Sequence, residues 1–130
     1  MEIDRPDVVK EVRKAFARYD RALVSNDVDT LDALFRDDPR TIRYGATEIF
    51  YGYAEIKYFR AARSPAGLAR VLSKTVITTF GSDSAMASTI FHRTTMLGKV
   101  GHQTQTWVRF KEGWRIAAGH FSVIDEPQAA

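Results

Sequence analysis

Apolar residues recur at Val8, Val9, Val12, Phe16, Tyr19 and Leu23, at spacings of three and four. That periodicity predicts an amphipathic helix with one buried stripe. Arg13, Lys14, Arg18 and Arg21 fall on its other side. Asp4 is the expected N-cap, with Pro6 in the first turn. Ser25, Asn26 and Asp27 end this helix, and Asp27 is placed to cap a shorter one carrying Val28, Leu31, Leu34 and Phe35. Asp37, Asp38 and Pro39 break that second helix.

Residues 41–44 and 48–51 alternate in the manner of short strands and meet around Gly45, which predicts a hairpin. Residues 53–63 return to helical spacing, and 64–67 read as a loop. The second half changes texture. Extended runs at 69–80, 84–96, 103–110 and 114–124 are separated by short turns, so an antiparallel meander is expected. The order is α-α-β-β-α-β-β-β-β, an α+β arrangement in which the three helices are the available cover for one sheet face. One domain over 1–130 is expected, with an ordered core at about 4–124 and a loose tail from 125 to 130.

Bulk composition narrows the function by exclusion. The chain has no cysteine, so disulfides, thiolate metal sites and a cysteine nucleophile are ruled out. No apolar run approaches the roughly 18 residues of a membrane span, and no leader pattern precedes the first helix. A cytoplasmic location follows by default. Net charge is +3, from 19 basic and 16 acidic residues, too mild for the dense basic surface of a nucleic-acid binder. The kind of base is more informative. Thirteen of the 19 are arginines, and guanidinium binds carboxylate through two parallel hydrogen bonds as ammonium cannot.

Several residues stand where chemistry is conceivable. Tyr19 lies in the buried stripe of the first helix, either as an ordinary core tyrosine or as a phenol facing a ligand. Arg43 shares a strand face with Thr41, opposite Ile42 and Tyr44. Gln103, Gln105, Trp107 and Arg109 share one face of their run, and Trp114, Ile116, Ala118, His120 and Ser122 share one face of the last. Arg60 and Arg63 are three apart on a helix. His92, His102 and His120 lack the spacing of a metal site, and His120 with Ser122 makes no triad. The acids sit at caps, turns and polar helix faces, Glu48 excepted, which leaves no paired-acid site of the ketosteroid isomerase kind.

Longer stretches carry a resemblance. The run Arg18-Tyr19-Asp20-Arg21-Ala22-Leu23, the run Asp38-Pro39-Arg40-Thr41-Ile42-Arg43-Tyr44-Gly45, and Phe59-Arg60-Ala61-Ala62-Arg63 are similar to the AtzH-like family. So are Gly67-Leu68-Ala69-Arg70, Gln105-Thr106-Trp107-Val108-Arg109-Phe110 and Gly113-Trp114-Arg115-Ile116. This family belongs to the nuclear transport factor 2-like superfamily, with the SnoaL-like cyclases. The resemblance implies a curved, antiparallel-rich sheet wrapped around the helices and enclosing a pocket. It implies metal-free work, without a cofactor, on small anionic ureas: removal of a carboxylate from 1,3-dicarboxyurea to leave allophanate in cyanuric acid breakdown, or handling of oxalurate. Tyr19 and Arg43 match the family's proposed catalytic pair. Arg63, Gln105, Trp107, His120 and Ser122 are the expected substrate-binding residues. The alternative is a non-catalytic, metabolite-binding subunit of an amidase. Homodimers are also implied, packed through an outer sheet face to which Phe80, Phe91, Phe110 and Phe121 would contribute.

Overall fold

The computed structural model describes residues 1–127. The element order is α1 (Pro6–Val24), α2 (Val28–Leu34), β1 (Ile42–Tyr44), β2 (Ile49–Tyr51), α3 (Tyr53–Ala62), β3 (Val71–Phe80), β4 (Ser84–His92), β5 (Lys99–Phe110) and β6 (Gly113–Asp125). The expected α+β order is therefore observed. The six strands form one sheet in the order β2-β1-β6-β5-β4-β3. β1 runs parallel to β6, and every other pair is antiparallel.

α1 forms where its apolar stripe predicts and buries Val8, Val12, Phe16, Tyr19, Ala22 and Leu23. Asp7 in the first turn and Arg21 in the last oppose the partial charges of the helix ends. Asp27 caps α2 as expected, accepting from the Thr30 N–H at 3.2 Å. Asp4 does not cap α1. The N-cap is Arg5, which makes no side-chain capping bond. The Asp4 carboxylate instead accepts from the Thr79 N–H and the Thr78 hydroxyl, each at 2.9 Å. β3 is an edge strand with unpaired donors, whereas Pro6 has already removed one donor from the helix end. The acid serves the greater need.

The helices cover the inner face of the sheet. Trp107, Trp114 and Ile116 pack there against Val12, Phe16, Leu31, Leu34 and Phe35. Trp114 also donates its indole N–H to Glu11 on α1 at 3.0 Å. α3 is held to α2 by a buried ion pair, Arg60 Nη1 to Asp32 Oδ1 at 2.6 Å. No helix among the described residues is long and apolar enough to cross a membrane.

One irregularity decides which residues face inward. Along β5 and β6, Trp107 pairs with Ile116 but Thr106 pairs with Ala118, leaving Ala117 as an extra residue. A one-residue bulge in a period-two strand exchanges its two faces. Trp114 and Ile116 point into the core, but beyond the bulge the inner positions are Gly119 and Phe121, opposite Gln105 and Gln103. His120 and Ser122 lie opposite the exposed Thr104 and His102, on the outer face. The expectation that they share a face with Trp114 and Ile116 is corrected, because strict alternation does not run through Ala117.

The apolar surface proposed for a dimer is corrected by the same topology. Phe91 is fully buried, and Phe121 meets it edge-on at 6.3 Å on the inner face. Phe110 lies under the Arg36 guanidinium, and Phe80 alone of the four is substantially exposed. β4 stops at His92 and β5 begins at Lys99, because the intervening residues form turns closed by Met96 N–H to Arg93 O and Lys99 N–H to Met96 O. The first residues of the expected loose tail, 125 and 126, are held in place. Asp125 still pairs with Lys99, and the Glu126 N–H donates to the Gly98 carbonyl at 2.9 Å. Residues 128–130 of that tail lie outside the described residues.

Phe91 can lie flat on the sheet because its cross-strand partner is Gly101. A Cβ at Gly101 would stand 2.1 Å from the Phe91 ring. Gly101→Ala therefore overpacks this contact, and a loss of about 1–3 kcal/mol is expected, read as a lowered midpoint in thermal or urea denaturation.

Candidate functional site

A hollow of about 190 Å³ opens between the C-terminal half of α1, the end of α3, β1 and the inner face of the sheet. This exceeds the ~10–15 Å³ that one water requires and falls below the ~300–1,000 Å³ of sites for drug-sized ligands. Its size suits a small metabolite. Leu23, Leu31, Leu68 and the rings of Phe59, Phe91 and Phe121 supply the apolar walls. The polar lining is Tyr19, Glu48, Gln103 and five arginines: Arg43, Arg60, Arg63, Arg70 and Arg93.

Burying five guanidinium groups in one place is costly unless each is compensated. Two are. Arg60 is held by Asp32, and Arg70 by Asp20 at 2.9 Å. Arg43, Arg63 and Arg93 form no ion pair among the described residues. Aromatic faces hold them instead. Arg43 lies 4.9 Å from the Phe59 ring and 4.7 Å from Phe121. Arg63 stands over Phe59, and Arg93 over Phe91. Such contacts offset about 0.5–2 kcal/mol each, less than full desolvation takes away.

The electrostatic consequence is visible at Arg43. Burial lowers its pKa to about 10, against the opposing pull of the Tyr19 phenol and the Glu48 carboxylate. Burial also lowers Arg63 and Arg93, the latter further depressed by Arg70 beside it. Arg43 remains cationic at neutral pH.

The hydrogen-bond inventory sharpens this. Arg43 Nη1, Arg63 Nε and Nη2, Arg70 Nη2, Arg93 Nε and Gln103 Nε2 are buried donors without a protein partner among the described residues. Against these six stands one lining acceptor in the same condition, Glu48 Oε2. Buried polar atoms in native proteins are nearly always paired. A hollow with this surplus of donors fits a ligand rich in acceptor oxygens and negatively charged.

The sequence matches the AtzH-like family over residues 1–127. The chain belongs to the AtzH-like family. Among solved structures, a DUF3225-family protein of unknown function from Pectobacterium atrosepticum is 53% identical, with 95% of each chain covered and a TM-score of 0.92. A cystatin-like fold protein from Burkholderia xenovorans is 43% identical over 98% of this chain and 99% of its own, with a TM-score of 0.94. An NTF2-like family protein from Streptomyces avermitilis, 18% identical over 94% of this chain and all of its own at a TM-score of 0.79, shares the fold. No curated protein matches this chain.

In this AtzH-like chain Tyr19, Arg43 and Arg63 all line the hollow. Gln105 is buried beside it, bordering with His120 a crevice of about 10 Å³ that is too narrow for a ligand. Its side-chain oxygen accepts from the Trp107 indole at 3.2 Å. Trp107 is completely buried within the apolar core and does not line the hollow. The His120 ring stands edge-on to Tyr44, 5.8 Å away on the outer face, and Ser122 is on that face too. Among the described residues no cluster of three His, Asp or Glu is placed to hold a metal ion.

Arg70, Arg93, Glu48, Gln103, Phe91 and Phe121 also line the hollow of this AtzH-like chain, outside the expected binding set. Arg70 ends one of the family-like stretches and Glu48 was the one acid on a strand, so both carried a signal. Phe121 carried none, since only the bulge at Ala117 turns it inward.

The Arg43 charge sets an expected pH response. Carboxylate binding needs the cation, so affinity for acetate is expected to hold from pH 7 to 9 and weaken as pH rises through about 10. Arg43→Met is expected to lose that Arg43-dependent step, with calorimetric titration at each pH as the measurement.

Proposed function

We propose that this AtzH-like chain is an enzyme that removes one carboxylate from a small carboxylated urea, with 1,3-dicarboxyurea going to allophanate as the reference reaction. The observation that carries the reading is the surplus of unpartnered buried donors around Tyr19, chiefly Arg43 Nη1 and Arg63 Nε and Nη2. A carboxylated urea presents carboxylate and carbonyl oxygens to such donors, and its N–H groups match the unpartnered Glu48 oxygen.

The step requires little. Arg43 binds a carboxylate or polarises the adjacent carbonyl. Tyr19 donates its proton to the carbamate nitrogen, the N–C bond to the departing carboxylate breaks with its electrons left on nitrogen, and carbon dioxide leaves. Solvent returns the proton to the phenolate, so one proton is consumed overall. N-carboxylated ureas are intrinsically labile, and holding the reactant against one proton donor supplies the acceleration.

The purified chain alone, given freshly generated 1,3-dicarboxyurea, is expected to form allophanate, followed by carbon-13 NMR. Tyr19→Phe is expected to slow this by about 10²-fold or more, the usual contribution of a positioned general acid. Arg43→Met is expected to do at least as much. Near-wild-type turnover in both folded variants would remove them from the mechanism. Turnover that appears only when an amidase is added would support the accessory-subunit reading instead.

A further inference from the structure

We infer that Arg70, with Arg93 beside it, forms a second carboxylate clamp, so that the hollow selects an anion with a carboxylate at each end. This deepens the reading of the same site.

Arg70 is the most firmly placed side chain in the hollow. It is 1% exposed, and its Nε donates to Asp20 at 2.9 Å. Nη1 donates to Gln103 Oε1 at 2.8 Å. Two edges of the guanidinium are thus fixed by protein acceptors, and Nη2 is left buried without a partner. A rigidly held guanidinium with one free donor is prepared for an acceptor that arrives with the ligand. Arg93 Nε is unpartnered too, and both guanidiniums stand over the Phe91 ring, at 5.1 and 4.8 Å.

The other pair sits elsewhere. Arg43 and Arg63 stand over Phe59, at 4.9 and 5.7 Å. The two guanidinium pairs are therefore gathered on different aromatic rings of one hollow, and Phe121, under Arg43 at 4.7 Å and edge-on to Phe91 at 6.3 Å, links the two. Charge follows the same division. Arg43 and Arg63 face Glu48 in one pair, two positive charges less one, or +1. Arg70 and Arg93 face Asp20 in the other, again two less one, or +1. Arg60 with Asp32 adds nothing. Each pair is matched by one carboxylate, and the whole by a dianion. A product that has lost one carboxylate leaves one clamp unsatisfied and is released more readily than substrate is bound.

Glutarate and pentanoate separate the two kinds of ligand, having the same carbon chain and either two carboxylates or one. Calorimetric titration of the full chain is expected to show glutarate binding about tenfold tighter or better, the level of a single charge-assisted clamp. Arg70→Met is expected to bring the glutarate-to-pentanoate ratio close to one. Should that variant fail to fold, Arg93→Gln keeps the Arg70–Asp20 pair and is expected to lower the same ratio. Equal wild-type affinities, no binding of either ligand, or variants that leave the ratio unchanged would overturn the clamp. Dianion preference without turnover of dicarboxyurea would overturn the proposed reaction and leave the clamp standing. Turnover without dianion preference would do the reverse.

Discussion

Five guanidinium groups share one small hollow, and among the described residues carboxylate ion pairs hold only two of them. That imbalance organises the structure around it. A water-poor cavity raises the strength of every charge inside it, so unpaired cations there must be neutralised, stacked or deprotonated. Arg60 and Arg70 take the first course. Arg43 takes the second between Phe59 and Phe121, and its pKa of about 10 records how much desolvation remains uncompensated. Residual strain of this kind is concentrated at functional sites, where binding relieves it. The two acids are accordingly better understood as charge setters than as catalysts. Without Asp20 and Asp32 the hollow would hold two further uncompensated cations.

The scaffold keeps the polar hollow apart from the apolar core along a single pair of strands. On β5 the inner face passes from Trp107, wholly buried, to Gln105 and Gln103. On β6 it passes from Trp114 and Ile116 to Gly119 and Phe121. The bulge at Ala117 lies at the junction. It changes which residues of β6 look inward just where the lining changes from indole and aliphatic groups to amide and cation. Small residues then make room. Gly101 accommodates the Phe91 ring, the platform on which Arg70 and Arg93 rest.

Much of this was legible in the sequence where a single physical rule governs. The three-and-four spacing of Val8, Val12, Phe16, Tyr19 and Leu23 specified α1, since nothing but burial decides that face. Asp27 capped as its position suggests. The strand runs and short turns specified the meander. Legibility failed where two rules competed or a count of one mattered. Asp4 had both a helix end and a strand edge within reach, and local pattern could not weigh them. His120 and Ser122 were assigned to the inner face by strict alternation, which a single extra residue upstream reverses. Trp107 was placed on the correct face, but position along that face separates core from hollow, and strand periodicity carries no such coordinate. The role of Arg70 was hidden for a different reason, although the residue itself ends a family-like stretch. Its pairing with Asp20 spans 50 positions of chain, and no local pattern announces it.

Glu48 adds a constraint that the arginines do not. Gly45 has no side chain, and the Glu48 carboxylate occupies the space a Cβ would take, 1.9 Å from that position. The β1–β2 turn is closed by the Gly45 N–H to the Glu48 carbonyl at 2.9 Å, so backbone and side chain are both committed to this arrangement. One carboxylate oxygen is left buried and without a donor beside Arg43 and Arg63. An ordinary dicarboxylate would satisfy the guanidiniums but leave this oxygen unpaired, at a cost of about 1–3 kcal/mol. An anion carrying N–H groups between its acceptors satisfies both. Ligand choice in this hollow therefore turns on the pairing of one acceptor with one donor, as much as on the positive charge that surrounds it.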